Sequence, residues 1–360
     1  MAPLDLDPLI RALPKAELHV HLEGSIVPEL ALRLAKRRNV ALPGANEGVE
    51  GLRRAYRFAS FREFLQVYVA LSSTLQQAED FADAVFGVAE ELGAQQVRWA
   101  ELTFTPMTHV ARGVDPDAML AGLAHGRARA RAELGVEMAW VFDVVRSLPD
   151  QGEATLELAL RGRDAGVIPL GIGGPEGPAW SVAPLASIFA RAKAEGLKSV
   201  PHAGEQHGRE SLRETLDLLA PDRIGHGVRC LEDRELTAEL ADMQLPLEVC
   251  PSSNVALGVV ASWADHPLPR LQAAGIALSL ASDDPPLFGT TLNDEYRRCV
   301  AHFGWGAREL LAVAGAAVEH SFMAEPRKQA LRAEQARVAA EHRTPDLREP
   351  LLAPRARRER

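Results

Sequence analysis

The sequence has few cysteines and no long apolar run. Its three cysteines, Cys230, Cys250 and Cys299, show no C-x-x-C spacing, which argues against a disulfide framework or a thiolate zinc site. No apolar segment approaches the ~20 residues that cross a bilayer. The acids and prolines of the N-terminus interrupt the apolar core that a signal peptide needs. We therefore expect a cytoplasmic protein without a membrane partner.

Positive charge is also in short supply. Lys and Arg number 40 against 49 Asp and Glu, a formal net charge of -9, whereas nucleic-acid binders normally present a basic face to the phosphates. Nucleic acid is therefore not an expected partner. The composition, 47% hydrophobic and 25% charged, is that of a globular protein with a large core, and a small-molecule substrate is the better expectation.

Short apolar runs alternate along the chain with segments of helical composition. This alternation predicts a parallel sheet covered by helices, and eight units predict a (β/α)₈ TIM barrel. We expect one barrel domain over residues 1–342, a helical insertion after the first strand, extra helices at the C-terminal end, and a disordered tail at 343–360. The predicted strands cover residues 16–22, 97–104, 136–145, 167–174, 198–204, 223–228, 245–250 and 276–282.

Unusual polar residues stand where several of these strands end, which is where barrels place catalytic groups. His19 and His21 flank one valine, so an extended chain aims both imidazoles to the same side. A single histidine on an apolar run is more often a core residue than a ligand. Convergence of several strand ends on one barrel mouth instead favours a nitrogen and oxygen site for a divalent transition ion, and we expect zinc. The other strand-end residues are His202, Glu205, His226, Asp283 and Asp284.

These residues lie within motifs that resemble the adenosine and adenine deaminase family of the metal-dependent amidohydrolase superfamily. The motifs occur in family order and span nearly all eight strands. They are "AELHVHLEGS", "GIGGPE", "HAGE", "IGHGVR", "EVCPSSN" and "SLASDDPPLFGTTLNDEY".

The resemblance implies hydrolytic deamination of a 6-aminopurine nucleoside at one zinc ion. Hydroxide would add to the amino-bearing carbon, and ammonia would leave. By similarity, the four metal ligands would be His19, His21, His202 and Asp283.

The resemblance also implies a role for each remaining site residue. Glu205 would protonate the ring nitrogen, His226 would orient the water, and Asp283 would double as a proton acceptor. Asp284 would bind the five-membered ring, and the backbone N–H of Gly174 the other side of the base.

Three of these segments have simpler interpretations that stay open. The "GIGGPEG" segment is equally typical of a plain turn. Ser252, Ser253 and Asn254 could only end the seventh strand and start a loop. Asp284 could cap a helix before Pro285.

The sugar side of the motifs departs from family members that act on adenosine. Those members have Asp where this chain has Glu23, which implies a contact with the ribose 5′ oxygen, and "LAGDE" where this chain has "IGGPE". We therefore expect a 5′-modified nucleoside such as aminodeoxyfutalosine, an intermediate of menaquinone biosynthesis. Adenosine and free adenine are the alternatives, and a non-catalytic purine-binding barrel is the alternative of another class. A two-metal centre is disfavoured because "GIGGPE" has no lysine.

The stretch "YRFASFREFLQVY" allows two interpretations. It could form a lid whose arginines pair with a substrate carboxylate. The simpler interpretation is a buried apolar stripe beside a solvated basic face. The residues concerned are Arg53, Arg54, Arg57 and Arg62 for the first, and Phe58, Phe61, Phe64 and Leu65 for the second.

Overall fold

The computed structural model describes residues 5–58 and 60–342, and the tail predicted at 343–360 lies outside the described residues. In the described part, eight parallel strands follow one another around a sheet in chain order. They are β1 (Lys15–His21), β2 (Val97–Phe104), β3 (Glu137–Val145), β4 (Val167–Gly173), β5 (Lys198–Ala203), β6 (Ile224–His226), β7 (Leu247–Val249) and β8 (Leu278–Leu280).

The sheet closes where the chain leaving β8 meets β1. Val20 forms a parallel bridge with Asp283. The His21 N–H donates to the Asp283 carbonyl at 2.9 Å, and the Asp283 N–H donates to the His19 carbonyl at 3.0 Å. The predicted (β/α)₈ barrel is confirmed, and its seam fixes Asp283 between the two histidines of β1.

Helices surround the barrel and supply the two predicted additions. Between β1 and β2 lie α2 to α5, and after β8 lie α14 to α16. The α-helices of the described residues are α1 (Asp7–Ala12), α2 (Pro28–Arg38), α3 (Gly48–Ala55), α4 (Phe61–Ser72), α5 (Ala78–Ala94), α6 (Pro106–Val110), α7 (Pro116–Leu134), α8 (Gly152–Arg161), α9 (Ala186–Ala194), α10 (Arg209–Leu219), α11 (Arg234–Met243), α12 (Pro251–Ala256), α13 (Leu268–Ala273), α14 (Leu292–Phe303), α15 (Ala307–His320) and α16 (Glu325–Glu341).

The last three strands are shorter than the sequence predicts, with three residues each. After β6 the backbone turns at once, with φ of 63° at His226 and 69° at Gly227. Asp283, just past β8, has φ of 65°. Left-handed backbone cannot continue an extended ladder, so the chain bends into loops at the residues that carry the polar groups.

Helix α4 buries one face against the barrel mouth. Phe64, Val67 and Leu71 are buried, as the spacing of a helical face requires, but Leu65 is 40% exposed, so its predicted place in the buried stripe is wrong. Phe64 stacks on Phe288 with ring centroids 5.4 Å apart. The α4 face therefore packs on the loop that follows β8.

The basic residues before α4 bind acidic partners of the same insertion. Arg53 pairs with Glu29 and Glu50, and Arg54 pairs with Glu47. These contacts favour the solvated basic face over the carboxylate-binding lid. Separately, none of the described helices combines the length and apolarity needed to span a membrane.

Candidate metal centre and active site

The four predicted metal ligands converge at the mouth of the barrel. His21 Nε2 lies 3.3 Å from Asp283 Oδ1 and 3.3 Å from His202 Nε2, and His19 Nε2 lies 3.8 Å from Asp283 Oδ1. Ligand atoms of a tetrahedral zinc site with bonds of ~2.0 Å are about 3.3 Å apart. We call His19, His21, His202 and Asp283 the metal side of the mouth.

The metal side fits a divalent ion by its chemistry as well as by its spacing. His19 Nε2 is buried and has no hydrogen-bond partner among the described residues, although buried polar atoms are normally paired. Burial lowers the pKa of His19, His21 and His202, which keeps the imidazoles in the neutral form that binds metal. An ion at this point would satisfy the open nitrogen.

Two buried carboxylates face the other nitrogens of the histidine ligands. Glu248 Oε2 lies 2.8 Å from His19 Nδ1, and its other oxygen accepts a hydrogen bond from Arg223. Asp143 Oδ2 lies 3.7 Å from His202 Nδ1. The Glu248 contact orients His19 and raises its basicity, whereas the Asp143 distance exceeds that of a hydrogen bond and leaves His202 Nδ1 without a partner in the described part of the chain.

The adjacent Asp283 and Asp284 carboxyl groups have pKa values that move in opposite directions. Burial opposes ionisation of Asp283, but the imidazoles of His226, His21 and His19 outweigh it and lower its pKa. Burial and the neighbouring Asp283 charge raise the pKa of Asp284. These opposite shifts favour an ionised Asp283 beside a neutral Asp284, the arrangement that separates acid and base roles.

Asp284 is aimed into the mouth and does not act as a helix cap there. Its Oδ1 is buried without a hydrogen-bond partner in the described part of the chain. A Cβ built on Gly24 would lie 1.6 Å from that oxygen, so the glycine of "HLEG" gives the carboxyl group its space. A neutral carboxyl at this point could donate a hydrogen bond to a ligand acceptor.

Glu205 lies on the other flank of the centre, three residues beyond His202. Its Oε1 is 3.8 Å from His226 Nε2. Burial raises the pKa of Glu205 to about 7, so the carboxyl group holds a proton in a large fraction of molecules at neutral pH. A group poised in this way can serve as a general acid.

His226 is held by a chain of hydrogen bonds that determines which nitrogen carries its proton. The Leu268 N–H donates to His266 Nδ1 at 3.1 Å, so neutral His266 carries its proton on Nε2, which lies 3.2 Å from Asn254 Oδ1. Asn254 Nδ2 then faces His226 Nδ1 at 3.5 Å. In the neutral form, His226 therefore presents Nε2–H to the centre, where Asp283 Oδ2 is 3.9 Å away. Asn254 of the "CPSSN" motif contacts the site through His226.

The Glu23 side, which we define as Glu23, Tyr68, Thr105 and His109, differs in having its hydrogen bonds made. Glu23 Oε1 accepts from the Thr105 N–H at 3.2 Å and lies 3.1 Å from His109 Nε2. Tyr68 donates to Glu23 Oε2 over 3.3 Å. Burial opposes ionisation of Glu23, but the hydrogen bond and charge of His109 together with backbone hydrogen bonds, among them that of Thr105, outweigh it and lower the pKa of Glu23.

The turn after β4 carries Gly174 and Glu176. Gly174 has φ of 95°, a left-handed conformation that favours glycine, as the turn interpretation predicts. A hydrogen bond from the Gly174 N–H to a base stays a prediction. Glu176 reaches the loop of Glu205, where its carboxylate accepts four backbone N–H groups.

Sequence reasoning missed several of these supporting residues. Glu248 and Glu176 stand inside the quoted motifs "EVCPSSN" and "GIGGPE", and an acidic residue within the apolar β7 was a usable signal for the first. The sequence indicates no partner for Asn254. His266 and Arg223 carry no local signal, because their contacts depend on distant segments of the chain.

Histidines and carboxylates gathered at the strand ends of a (β/α)₈ barrel define a metal-dependent hydrolase of the amidohydrolase type. The comparison with protein families is more specific. The family model described as "Adenosine deaminase" matches residues 14–338, and the chain belongs to this family.

Relatives with two different names cover most of the chain. An aminodeoxyfutalosine deaminase of Streptomyces avermitilis is 39% identical over 343 residues, which are 94% of this chain and 92% of that protein. An adenine deaminase of Geotalea uraniireducens is 40% identical over 325 residues, 89% of this chain and 90% of that protein. The crystal structure of adenine deaminase from Arthrobacter aurescens has a TM-score of 0.86 at 33% identity and covers 91% of this chain and 100% of its own.

Proposed function

We propose that this deaminase hydrolyses the 6-amino group of a purine nucleoside with one zinc ion per chain. The observation that carries the proposal is that Asp283 of the metal side also lies in a cluster with Glu205 and His226, whose side-chain ligand atoms are all within 4.8 Å of one another. The relatives named aminodeoxyfutalosine deaminase and adenine deaminase support this choice of reaction. We also propose that residues 1–342 form one domain, since all eight strands enter one barrel, and that the protein is cytoplasmic.

The proposed zinc ion would be held by His19, His21, His202 and Asp283. When bound, it lowers the pKa of a coordinated water and so supplies hydroxide near neutral pH. Glu248 keeps His19 Nε2 turned toward the centre by binding Nδ1.

The chain's own residues handle the protons. Glu205 gives its proton to the ring nitrogen beside the amino-bearing carbon, which makes that carbon electrophilic. His226 donates from Nε2 to the oxygen that adds there, and Asp283 accepts a proton from the water. A C–O bond forms and the C–N bond breaks: ammonia leaves with the proton taken up by Asp283, and the product keeps a proton on the ring nitrogen. The proton of the added hydroxyl returns to Glu205 as the 6-oxo group forms.

Two groups would bind the base itself. The raised pKa of Asp284 favours its neutral form, in which the carboxyl can donate to the acceptor nitrogen of the five-membered ring. The Gly174 N–H would meet the opposite side of the base, at the end of β4. This arrangement binds the purine through edges that adenine and its nucleosides share.

The favoured substrate is a 5′-modified nucleoside such as aminodeoxyfutalosine. Glu23 Oε1 already accepts two hydrogen bonds from the protein, so the site is poorly matched to a free 5′ hydroxyl that needs an acceptor. A mismatched buried polar contact costs ~1–3 kcal/mol. The aminodeoxyfutalosine deaminase relative supports this choice.

Free adenine is the second candidate, and one observation favours it. Glu23 and His109 are each 0% exposed, so this pair forms a buried polar wall instead of an open acceptor for a sugar. The adenine deaminase relatives fit that reading.

A steady-state assay of the purified protein distinguishes these substrates. The panel is adenine, adenosine, 5′-methylthioadenosine and aminodeoxyfutalosine, with ammonia release as the common readout. We expect aminodeoxyfutalosine to have the highest kcat/KM. If adenosine is best, the argument from Glu23 is wrong. If free adenine is best, the nucleoside proposal is wrong while 6-aminopurine deamination stands.

A further inference from the structure

Glu176, in the turn after β4, accepts several hydrogen bonds from the loop of Glu205, and none of the catalytic roles proposed above involves Glu176. Its Oε2 accepts the backbone N–H groups of Glu205 at 2.9 Å, Gln206 at 2.7 Å and His207 at 2.9 Å. Its Oε1 accepts the Gly204 N–H at 2.8 Å and the Ser211 hydroxyl at 2.7 Å. One carboxylate thus receives five donors.

The loop itself is shaped to surround an anion. Consecutive N–H groups that point inward make a concave nest that attracts negative charge, and Gly204 has φ of 69°, which bends the chain into that form. In this molecule the anion is a side chain of the protein. Its hydrogen bonds are charge-assisted and about twice as strong as neutral ones.

A buried arginine connects this nest to the metal side. Arg146, at the end of β3, lies with Nη2 3.7 Å from Glu176 Oε1, and the two side chains are 2% and 1% exposed. The same Nη2 donates to the carbonyl of His202. The buried Arg146–Glu176 ion pair therefore holds both ends of one short segment. Arg146 binds the His202 carbonyl, and Glu176 binds the backbone N–H groups of Gly204–His207.

From this geometry we infer that Glu176 is the positioning residue for Glu205, with Arg146 relating that position to His202. The inference rests on the proposed function, in which Glu205 is the proton donor. Glu176 touches neither substrate nor metal in this account. It fixes the backbone from which the Glu205 side chain projects, and a misplacement of about 1 Å in a catalytic group can cost ~10²-fold in rate.

A double-mutant cycle with Glu205→Gln tests the inference. In Glu176→Gln an amide replaces one carboxylate oxygen, so an N–H group meets the backbone N–H groups of the nest. We expect kcat to fall by ~10- to 10²-fold, with KM changed less than about 3-fold and metal content unchanged. In the Glu205→Gln background, Glu176→Gln should change kcat less than about 3-fold, because the group that it positions is already inactive.

Glu214→Gln is the matched control. Glu214 also accepts a backbone N–H and a serine hydroxyl, those of Val182 and Ser181, but it does not bind the Glu205 loop. Its variant should keep the wild-type kcat. If Glu176→Gln fails to fold, Ser211→Ala removes one donor to the same carboxylate and should lower kcat by roughly 2- to 5-fold without changing KM.

The outcomes separate this inference from the proposed function. Equal losses from Glu176→Gln in both backgrounds would show a general structural effect and overturn the positioning role, as would a wild-type kcat in Glu176→Gln or, where that variant does not fold, in Ser211→Ala. A Glu205→Gln enzyme with nearly wild-type kcat would instead remove the proton-donor role on which the inference rests.

Discussion

The metal side and the Glu23 side of the barrel mouth use the same residue types to opposite effect. His19 and His109 are both buried, and each lies beside a glutamate. His109 Nδ1 lies 3.2 Å from Arg112 Nη2, so both of its nitrogens have partners. His19 has Nδ1 against Glu248 but leaves Nε2 without a partner in the described part of the chain.

This difference separates residues prepared for a ligand from residues that complete the structure. Buried polar atoms are expensive to leave unpaired, so an open nitrogen or oxygen indicates where a ligand is missing. Such atoms around the mouth include His19 Nε2 and Asp284 Oδ1. On the Glu23 side the protein supplies the partners itself. The comparison can be tested from its largest consequence to its smallest.

The largest effect should come from His21→Ala, which removes a ligand from the metal side. A bound metal ion contributes several kcal/mol to catalysis, so we expect a loss of ~10⁴-fold or more in kcat/KM at 1.36 kcal/mol per tenfold. Metal analysis should show less than one ion per chain. His125→Ala, on the exposed surface of α7, is the control. Full activity in His21→Ala, or two ions per wild-type chain, would contradict the single site.

Glu205→Gln should leave the metal in place and remove the proton. General acid–base catalysis typically contributes ~10²- to 10⁴-fold, and kcat should fall by that amount at unchanged metal content. Glu210→Gln changes an exposed carboxylate of the next helix and should have no effect. A Glu205→Gln enzyme with most of its kcat would assign proton donation to another residue.

Glu248→Gln tests whether the contact of Glu248 with His19 Nδ1 strengthens metal binding at His19 Nε2. Loss of a carboxylate behind a histidine ligand typically weakens metal binding by ~10- to 100-fold. The affinity can be measured by competition with a chelator, alongside thermal unfolding, since Glu248 also pairs with the buried Arg223. Unchanged metal affinity in a folded variant would mean that Glu248 serves only the barrel interior.

The smallest effect concerns Glu23→Asp, on the satisfied side. The shorter side chain would withdraw its carboxylate from Thr105 and His109, which leaves both an open acceptor and more room for a 5′ hydroxyl. We expect the kcat/KM for adenosine to rise relative to aminodeoxyfutalosine by roughly 10-fold, the equivalent of ~1.4 kcal/mol in one polar contact. If all substrates lose activity equally, Glu23 has a structural role and does not discriminate among sugars.

Much of the barrel could be predicted because its signals are local. Apolar runs bounded by glycine, proline and charge indicated every strand, and alternation along "HVH" placed His19 and His21 on one side. The strand-end rule then brought His202 and Asp283 to the same mouth. Strand lengths were less predictable, because β6 and β8 end where the backbone enters left-handed conformations at or just after His226 and Asp283.

By itself the sequence determined the order of the strands and the residue types available for a metal. The tertiary structure alone decided which of those groups are open. Glu176 and Glu248 appear in the sequence as ordinary acids, yet one binds the Glu205 loop and the other orients His19, across 29 and 229 residues respectively. The Asn254–His266 contact likewise determines the proton position on His226. Hydrogen bonds depend on distance and direction to within a few tenths of an ångström, and only barrel closure brings such distant segments into that range.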